Sequence, residues 1–289
     1  MSDDPRAIAI PIPGGRIEAL LLPGGPGVPL LVLGGVEIGL RPLTGSENAH
    51  VRRWERRTAR RPVVVMGRPL PDDPADAARM LHPRAAAEAV ARGLEALRDV
   101  VPPVAVEAES GGGRISLWLT VEHPELVARL VLSSVASETP PDSPMTVRMA
   151  QWLDLAERGQ WADFLARLAR QLKPAGSVPA DAPAGVPAVS GAFQPHPSTP
   201  ERFIGELRAT LDPSSFVTDR LNEIRVPTLV LAGGKDQVVP LASTQLVAET
   251  IPGARLEVDP ECGHTVRSSF RGYDQLVEAF LAEGDRPPT

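Results

Sequence analysis

Beyond residue 100 the chain alternates short aliphatic runs with helical patterns, and this rhythm restricts the fold more than any other feature. Val101–Val106, Leu130–Leu132, Val226–Ala232 and Arg255–Val258 read as strands. Ile115–Val121, Leu241–Ile251 and Tyr273–Leu281 carry apolar residues at helical spacing between or after them. Strand–helix–strand repetition implies a mostly parallel sheet with helices on both faces and right-handed crossovers. The first third adds a hairpin, Ala7–Ile12 and Arg16–Leu22 around Pro13-Gly14-Gly15. Strands at Leu30–Leu33 and Val63–Met66 follow, with helices from Ser46-Glu47 to about Arg60 and over Ala85–Val100.

One stretch breaks the rhythm. From Glu138 to about Ser215 there is no strand pattern, only two amphipathic helices, Met145–Leu172 and Glu201–Leu211. A Pro/Ala/Gly-rich piece, 173–200, joins them. The expected organisation is a core made of 1–137 and 216–289, with 138–215 as a helical insertion over the C-terminal edge of the sheet. The alternative is a disordered linker flanked by surface helices. No internal repeat is visible.

Composition limits the function classes. With 43% hydrophobic residues in 289, the chain can bury a sizeable core and is not disordered over most of its length. A net charge of -6 argues against a protein built mainly to hold nucleic acid or anionic membrane. The six arginines between Arg52 and Arg61 lie on one helix without interleaved aromatics apart from Trp54, and read as a solvated face. The single cysteine, Cys262, cannot form an internal disulfide. The start, MSDDPRAIAI, lacks the basic and apolar blocks of a signal peptide. The longest uncharged stretch, Ala19 to Val36, holds three prolines and five glycines, which excludes a spanning helix. A soluble cytoplasmic location is expected. The histidines His50, His82, His123, His196 and His264 show no ligand spacing, so no metal is expected. No phosphate loop or dinucleotide fingerprint is present, so no cofactor is expected either.

Three segments carry chemistry. Ala108-Glu109-Ser110-Gly111-Gly112-Gly113 lies between a strand and a helix. A nucleophilic serine in a strained left-handed turn needs tiny residues two before and two after it, and Ala108 and Gly112 meet that need. The other reading is a glycine-rich turn with a capping serine. Asp236 follows the strand that ends in Gly233-Gly234, at the sheet edge where ligands bind in open parallel sheets. It could equally be an Asx-turn aspartate capping the next helix. His264, in Cys262-Gly263-His264-Thr265 after the last strand, can reach over that edge toward both. Its ring would take the serine proton while the carboxylate fixes its tautomer.

The conjunction resembles the α/β-hydrolase superfamily. The resemblance rests on Ala-Glu-Ser-Gly-Gly, Ile-Arg-Val-Pro-Thr-Leu-Val-Leu-Ala-Gly-Gly-Lys-Asp, Cys-Gly-His, and the passage His123-Pro-Glu-Leu-Val-Ala-Arg-Leu-Val-Leu. It implies an eight-stranded, mostly parallel sheet, a helical cap after strand six, and a triad of Ser110, His264 and Asp236. Some relatives place the acid after strand six, where this chain has Ser133-Ser134, so Asp236 is preferred. The oxyanion hole is expected from the backbone N–H of Gly111 and of the loop after Leu30–Leu33, at Val36 or Gly35, with Val36 favoured. Relatives usually show His-Gly there; this chain has Gly34-Gly35, followed by Glu37. A second departure is Gly67-Arg68-Pro69 where relatives carry an acidic, glycine-rich loop. Arg68 is a candidate for recognising a substrate carboxylate, or else a surface ion pair. Glu109 and Trp152 are further candidates at the substrate site.

The resemblance implies a serine-dependent hydrolase of ester-type bonds, like a carboxylesterase or lactonase, acting on a small molecule through an acyl-enzyme. Thioesterase, perhydrolase and acyltransferase chemistry use the same triad, and a non-catalytic ligand-binding protein on this fold is the reading from another class. A serine at the elbow, and one tyrosine, Tyr273, in the last helix, argue against haloalkane dehalogenases and epoxide hydrolases. Oligomeric state and acyl preference are not encoded in any motif.

Overall fold

The computed structural model describes residues 5–35, 54, 56–97, 100–177 and 199–285. Eight strands form one sheet: β1 Arg6–Ile12, β2 Gly15–Leu22, β3 Leu30–Leu33, β4 Val63–Pro71, β5 Val104–Glu109, β6 Val127–Ser133, β7 Thr228–Gly233 and β8 Arg255–Asp259. Their order is β1-β2-β4-β3-β5-β6-β7-β8. The β1/β2 and β2/β4 pairs are antiparallel and every other pair is parallel. The expected mostly parallel eight-stranded sheet is therefore present. Gly14 turns the β1/β2 hairpin at φ +76°, a conformation glycine adopts without Cβ strain.

After β4 the α-helices of the described residues, in chain order, are α1 Ala77–Met80, α2 Pro83–Ala96, α3 Gly111–Glu122, α4 Pro144–Glu157, α5 Trp161–Gln171, α6 Thr199–Leu211, α7 Leu241–Thr250, α8 Val266–Ser269 and α9 Tyr273–Ala282. Alternate residues of the central strands feed two cores. Leu31, Leu33, Val106, Ala108, Leu130 and Leu132 pack under α2 and α3, while Leu30, Val32, Ala105, Val131 and Leu229 pack against α9. Strands buried on both faces explain why they read as continuous aliphatic runs.

Several boundaries differ from expectation for identifiable reasons. β5 begins at Val104, because the preceding Pro102-Pro103 lacks N–H groups for a ladder, and Val101 is exposed. β4 runs five residues past Met66, where Gly67-Arg68-Pro69-Leu70-Pro71 pairs with the start of β2. The helix expected over Met145–Leu172 is two helices. Gly159, at φ +68°, terminates α4: its N–H reaches Ala156 O at 3.0 Å and Gln160 N–H reaches Leu155 O at 2.9 Å. That is the paired bonding of a Schellman stop, which favours glycine at the left-handed position.

Between β6 and β7, α4, α5 and α6 form a third apolar cluster around Trp152, Phe164 and Phe203. Val238 and Val239, just after Asp236, belong to the same cluster. The first residues of the Pro/Ala/Gly-rich piece also hold to the core. Ala175 N–H donates to Lys235 O at 3.0 Å, and Gln237 Nε2 donates to Lys173 O at 2.9 Å. Residues 178–198 lie outside the described residues.

The arginine-rich stretch is not simply a solvated face. Arg56 and Arg60 are exposed, but Arg57 and Arg61 are 3% and 0% exposed. Arg57 bonds Glu278 at 2.6 Å and Arg61 bonds Asp285 at 2.9 Å, so acids near the C-terminus take up their charge. Arg52 and Arg53 lie outside the described residues.

Candidate active site

Ser110 joins β5 to α3 with φ 51° and ψ -120°, a region non-glycine residues rarely occupy. The turn exists because its neighbours leave room for it. A Cβ on Gly112 would come within 2.2 Å of Gly34 O and 2.6 Å of Leu33 O, and one on Gly113 within 2.1 Å of Val135 Cγ2. The requirement for Gly112 was legible from the motif, whereas that for Gly113 comes from Val135 across the turn. Gly112→Ala is expected to cost at least about 1–3 kcal/mol, the usual range for overpacking, because backbone and not a mobile side chain blocks the methyl. Thermal unfolding checks this, and a native melting temperature would contradict it.

The strained turn aims Ser110 Oγ at His264 Nε2, 3.1 Å away. His264 Nδ1 faces Asp236 Oδ2 at 2.9 Å. The second carboxylate oxygen, Asp236 Oδ1, accepts from Val238 N–H at 2.7 Å and Val239 N–H at 2.9 Å. Asp236 therefore closes an Asx-type turn through one oxygen and meets the His264 ring through the other. Three loops at the C-terminal ends of β5, β7 and β8 supply this chain.

Burial sets the electrostatics, and the partners reverse its sign. Desolvation pushes the Asp236 carboxyl up, but the His264 ring and the two amide donors outweigh it and hold it below its ordinary value. Desolvation pushes His264 down, but Asp236, with a contribution from Glu109, lifts it above the usual histidine value. A buried imidazole whose protonated form gains support from a fixed carboxylate is suited to receiving a proton.

Gly111 opens α3, so its amide belongs to the first turn of the helix and lies directly after Ser110. A Cβ on Gly35 would sit 3.5 Å from Ser110 Cβ, placing the Gly34-Gly35 loop against the serine. Val36 and Glu37 lie outside the described residues.

Residues 86–268 match the family model described as serine aminopeptidase, S33. The chain belongs to this family of α/β hydrolases. It is 32% identical over 193 residues to a 2-hydroxymuconate semialdehyde hydrolase of Pseudomonas putida, covering 62% of this chain and 63% of that protein. It is 30% identical over 183 residues to a pimeloyl-(acyl-carrier protein) methyl ester esterase of Nitrosomonas europaea, covering 59% and 67%. The first of these matches thus spans less than two thirds of the relative's length. An esterase structure from Exiguobacterium antarcticum superposes with a TM-score of 0.73 at 19% identity, over 97% of this chain and all of that one, a likeness of fold.

Other residues of this α/β hydrolase fall in different places. Arg68 is 2% exposed, so it is not a surface ion pair; its Nε donates to Glu206 Oε1 at 2.9 Å. Glu109 faces Arg267 Nη1 at 3.6 Å. Trp152 is 2% exposed inside the α4–α6 cluster, its indole N–H donating to Gln171 Oε1 at 2.7 Å. Sequence reasoning passed over Glu107, fully buried in β5 just before the elbow. It accepts from Tyr273 OH at 2.9 Å and lies 3.1 Å from Arg267 Nε and 3.6 Å from Arg57 Nε. Arg148 on α4 was also missed; its Nη1 donates to Val238 O at 3.1 Å, behind the aspartate. Among the described residues no three histidine, cysteine, aspartate or glutamate side chains gather as a metal site, and no helix is long and apolar enough to cross a membrane.

Proposed function

We propose that this protein is a serine-dependent hydrolase of carboxylic ester-type bonds in small molecules. The observation that carries the reading is the Ser110–His264–Asp236 chain, 3.1 Å and 2.9 Å long, built on a serine with positive φ. Ser110 Oγ attacks the carbonyl carbon while His264 Nε2 takes its proton. The amide of Gly111 and one from the Gly34-Gly35 loop or its next residue meet the oxyanion. His264 then protonates the departing alkoxide, and water, deprotonated by the same ring, releases the acyl group as a carboxylate and restores Ser110. The ester named in the Nitrosomonas relative supports this bond class. No cofactor enters these steps.

In this reading the helices of 138–215 form the cap and 1–137 with 216–289 the catalytic core. The packing of Val238 and Val239 into the helical cluster supports a cap that also braces the aspartate loop.

The test is turnover of p-nitrophenyl acetate and butyrate and of a small lactone across pH. His264 must be neutral to accept the proton, so kcat/KM should fall as pH drops through its folded value. Because that value is raised, the acid limb should have its midpoint above the ordinary histidine value of about 6.5. Turnover without an acid limb near or above that value would remove His264 as the base, and no turnover of any ester or lactone would remove the reading.

A further inference from the structure

We propose that Arg68 is a positioning residue for the loop that receives the oxyanion, and that Glu206 ties this loop to the helical segment; the assignment rests on the hydrolase reading above. Arg68 lies in β4, beside the C-terminal end of β3, and its guanidinium fork is shared between two structures. Nε holds Glu206 Oε1 of α6 at 2.9 Å. Nη2 donates to Gly34 O at 3.1 Å and to Gly35 O at 2.7 Å. Amide and carbonyl point opposite ways across a trans peptide. With Gly34 O drawn to Arg68, the Gly35 N–H is turned away from it. Gly35 is also the residue whose Cβ position sits 3.5 Å from Ser110 Cβ. Arg68 therefore determines which side of this loop carries its carbonyls and which its donors.

The loop needs such a clamp. Two consecutive glycines are the most permissive backbone available, and nothing in their own chemistry selects one peptide orientation. Arginine presents its donors in a rigid planar fork, here with Nε on the carboxylate and Nη2 on the two carbonyls, whereas the donors of lysine sit on one nitrogen at the end of a flexible stem. The arrangement is not one that stability alone favours. Arg68 and Glu206 are both buried, and Arg68 Nη1 has no hydrogen-bond partner among the described residues. Buried pairs of this kind are often replaced by apolar residues with no loss of stability. Glu206 supplies the carboxylate that the sequence suggested a substrate would bring.

The experiment uses the full chain and p-nitrophenyl acetate as probe. Arg68→Lys and Arg68→Met should lower kcat by about 10- to 100-fold with KM nearly unchanged, less than the roughly 10²–10³-fold seen when an oxyanion donor is removed outright. The acid-limb midpoint should stay at the wild-type value, since His264 keeps its partners. Inhibition by a boronic acid, which forms a tetrahedral adduct on the serine, should weaken in proportion. Guanidinium ion should restore part of the activity of Arg68→Ala, where sodium at the same ionic strength does not. Should the single variants unfold, the pair Arg68→Met with Glu206→Leu removes both charges and should melt near wild type while keeping the loss in kcat. Full kcat in a folded variant, or a change confined to KM, would overturn the positioning role and leave the hydrolase reading standing. Wild type lacking Ser110-dependent turnover would overturn both.

Discussion

His264→Ala is expected to lower kcat on a simple ester by about 10⁶-fold, the scale on which removing the base disables a serine–histidine pair. The imidazole touches both Ser110 Oγ and Asp236, at 3.1 Å and 2.9 Å. Without it the serine keeps its strained turn but has no acceptor for its proton. The fold should survive, because Asp236 Oδ1 keeps its bonds to Val238 and Val239 N–H. The orphaned Oδ2 in a buried site should cost about 1–3 kcal/mol at neutral pH. Added imidazole should recover a measurable part of the rate. A variant that folds and turns over within tenfold of wild type would exclude His264 from the mechanism.

Asp236→Asn should lower kcat by about 10⁴-fold through a different cause. The asparagine carbonyl can still accept from Val238 and Val239, so the loop is preserved. The amide NH₂ then faces His264 Nδ1 as a donor, which leaves that nitrogen as an acceptor and moves the ring proton to Nε2. A histidine protonated at Nε2 cannot take the proton of Ser110. The pH profile should move too. Burial lowers His264, and Asp236 is the main group that lifts it, so loss of the carboxylate should bring the acid-limb midpoint down from the wild-type position. A steady-state pH series on wild type and variant measures both effects. Equal rates, or a midpoint that rises, would contradict the role assigned to Asp236.

The parts of this molecule that sequence reveals are those with a local cause. The aliphatic run Leu30–Leu33 is a strand over the residues expected, and the order Ser110, Asp236, His264 follows from strand ends and their loops. The elbow is legible because steric limits act between residues that are close in sequence. Long-range pairing leaves no such trace. Glu107 meets Arg57, Arg267 and Tyr273, from two distant parts of the chain, so nothing local marks the groups that take up its charge. The same holds for Arg68, whose partners Gly34, Gly35 and Glu206 come together only when the sheet and the helical segment are assembled. The α4/α5 break differs, since Gly159 was a readable stop signal outweighed by apolar periodicity on both sides of it.

Ser110 should behave as an activated nucleophile. Intact-mass labelling with a fluorophosphonate, on wild type and on Ser110→Ala, reads this out. One adduct on wild type, absent from the folded variant, is the predicted result. An unlabelled, well-folded wild type, or an adduct that persists in Ser110→Ala, would contradict it.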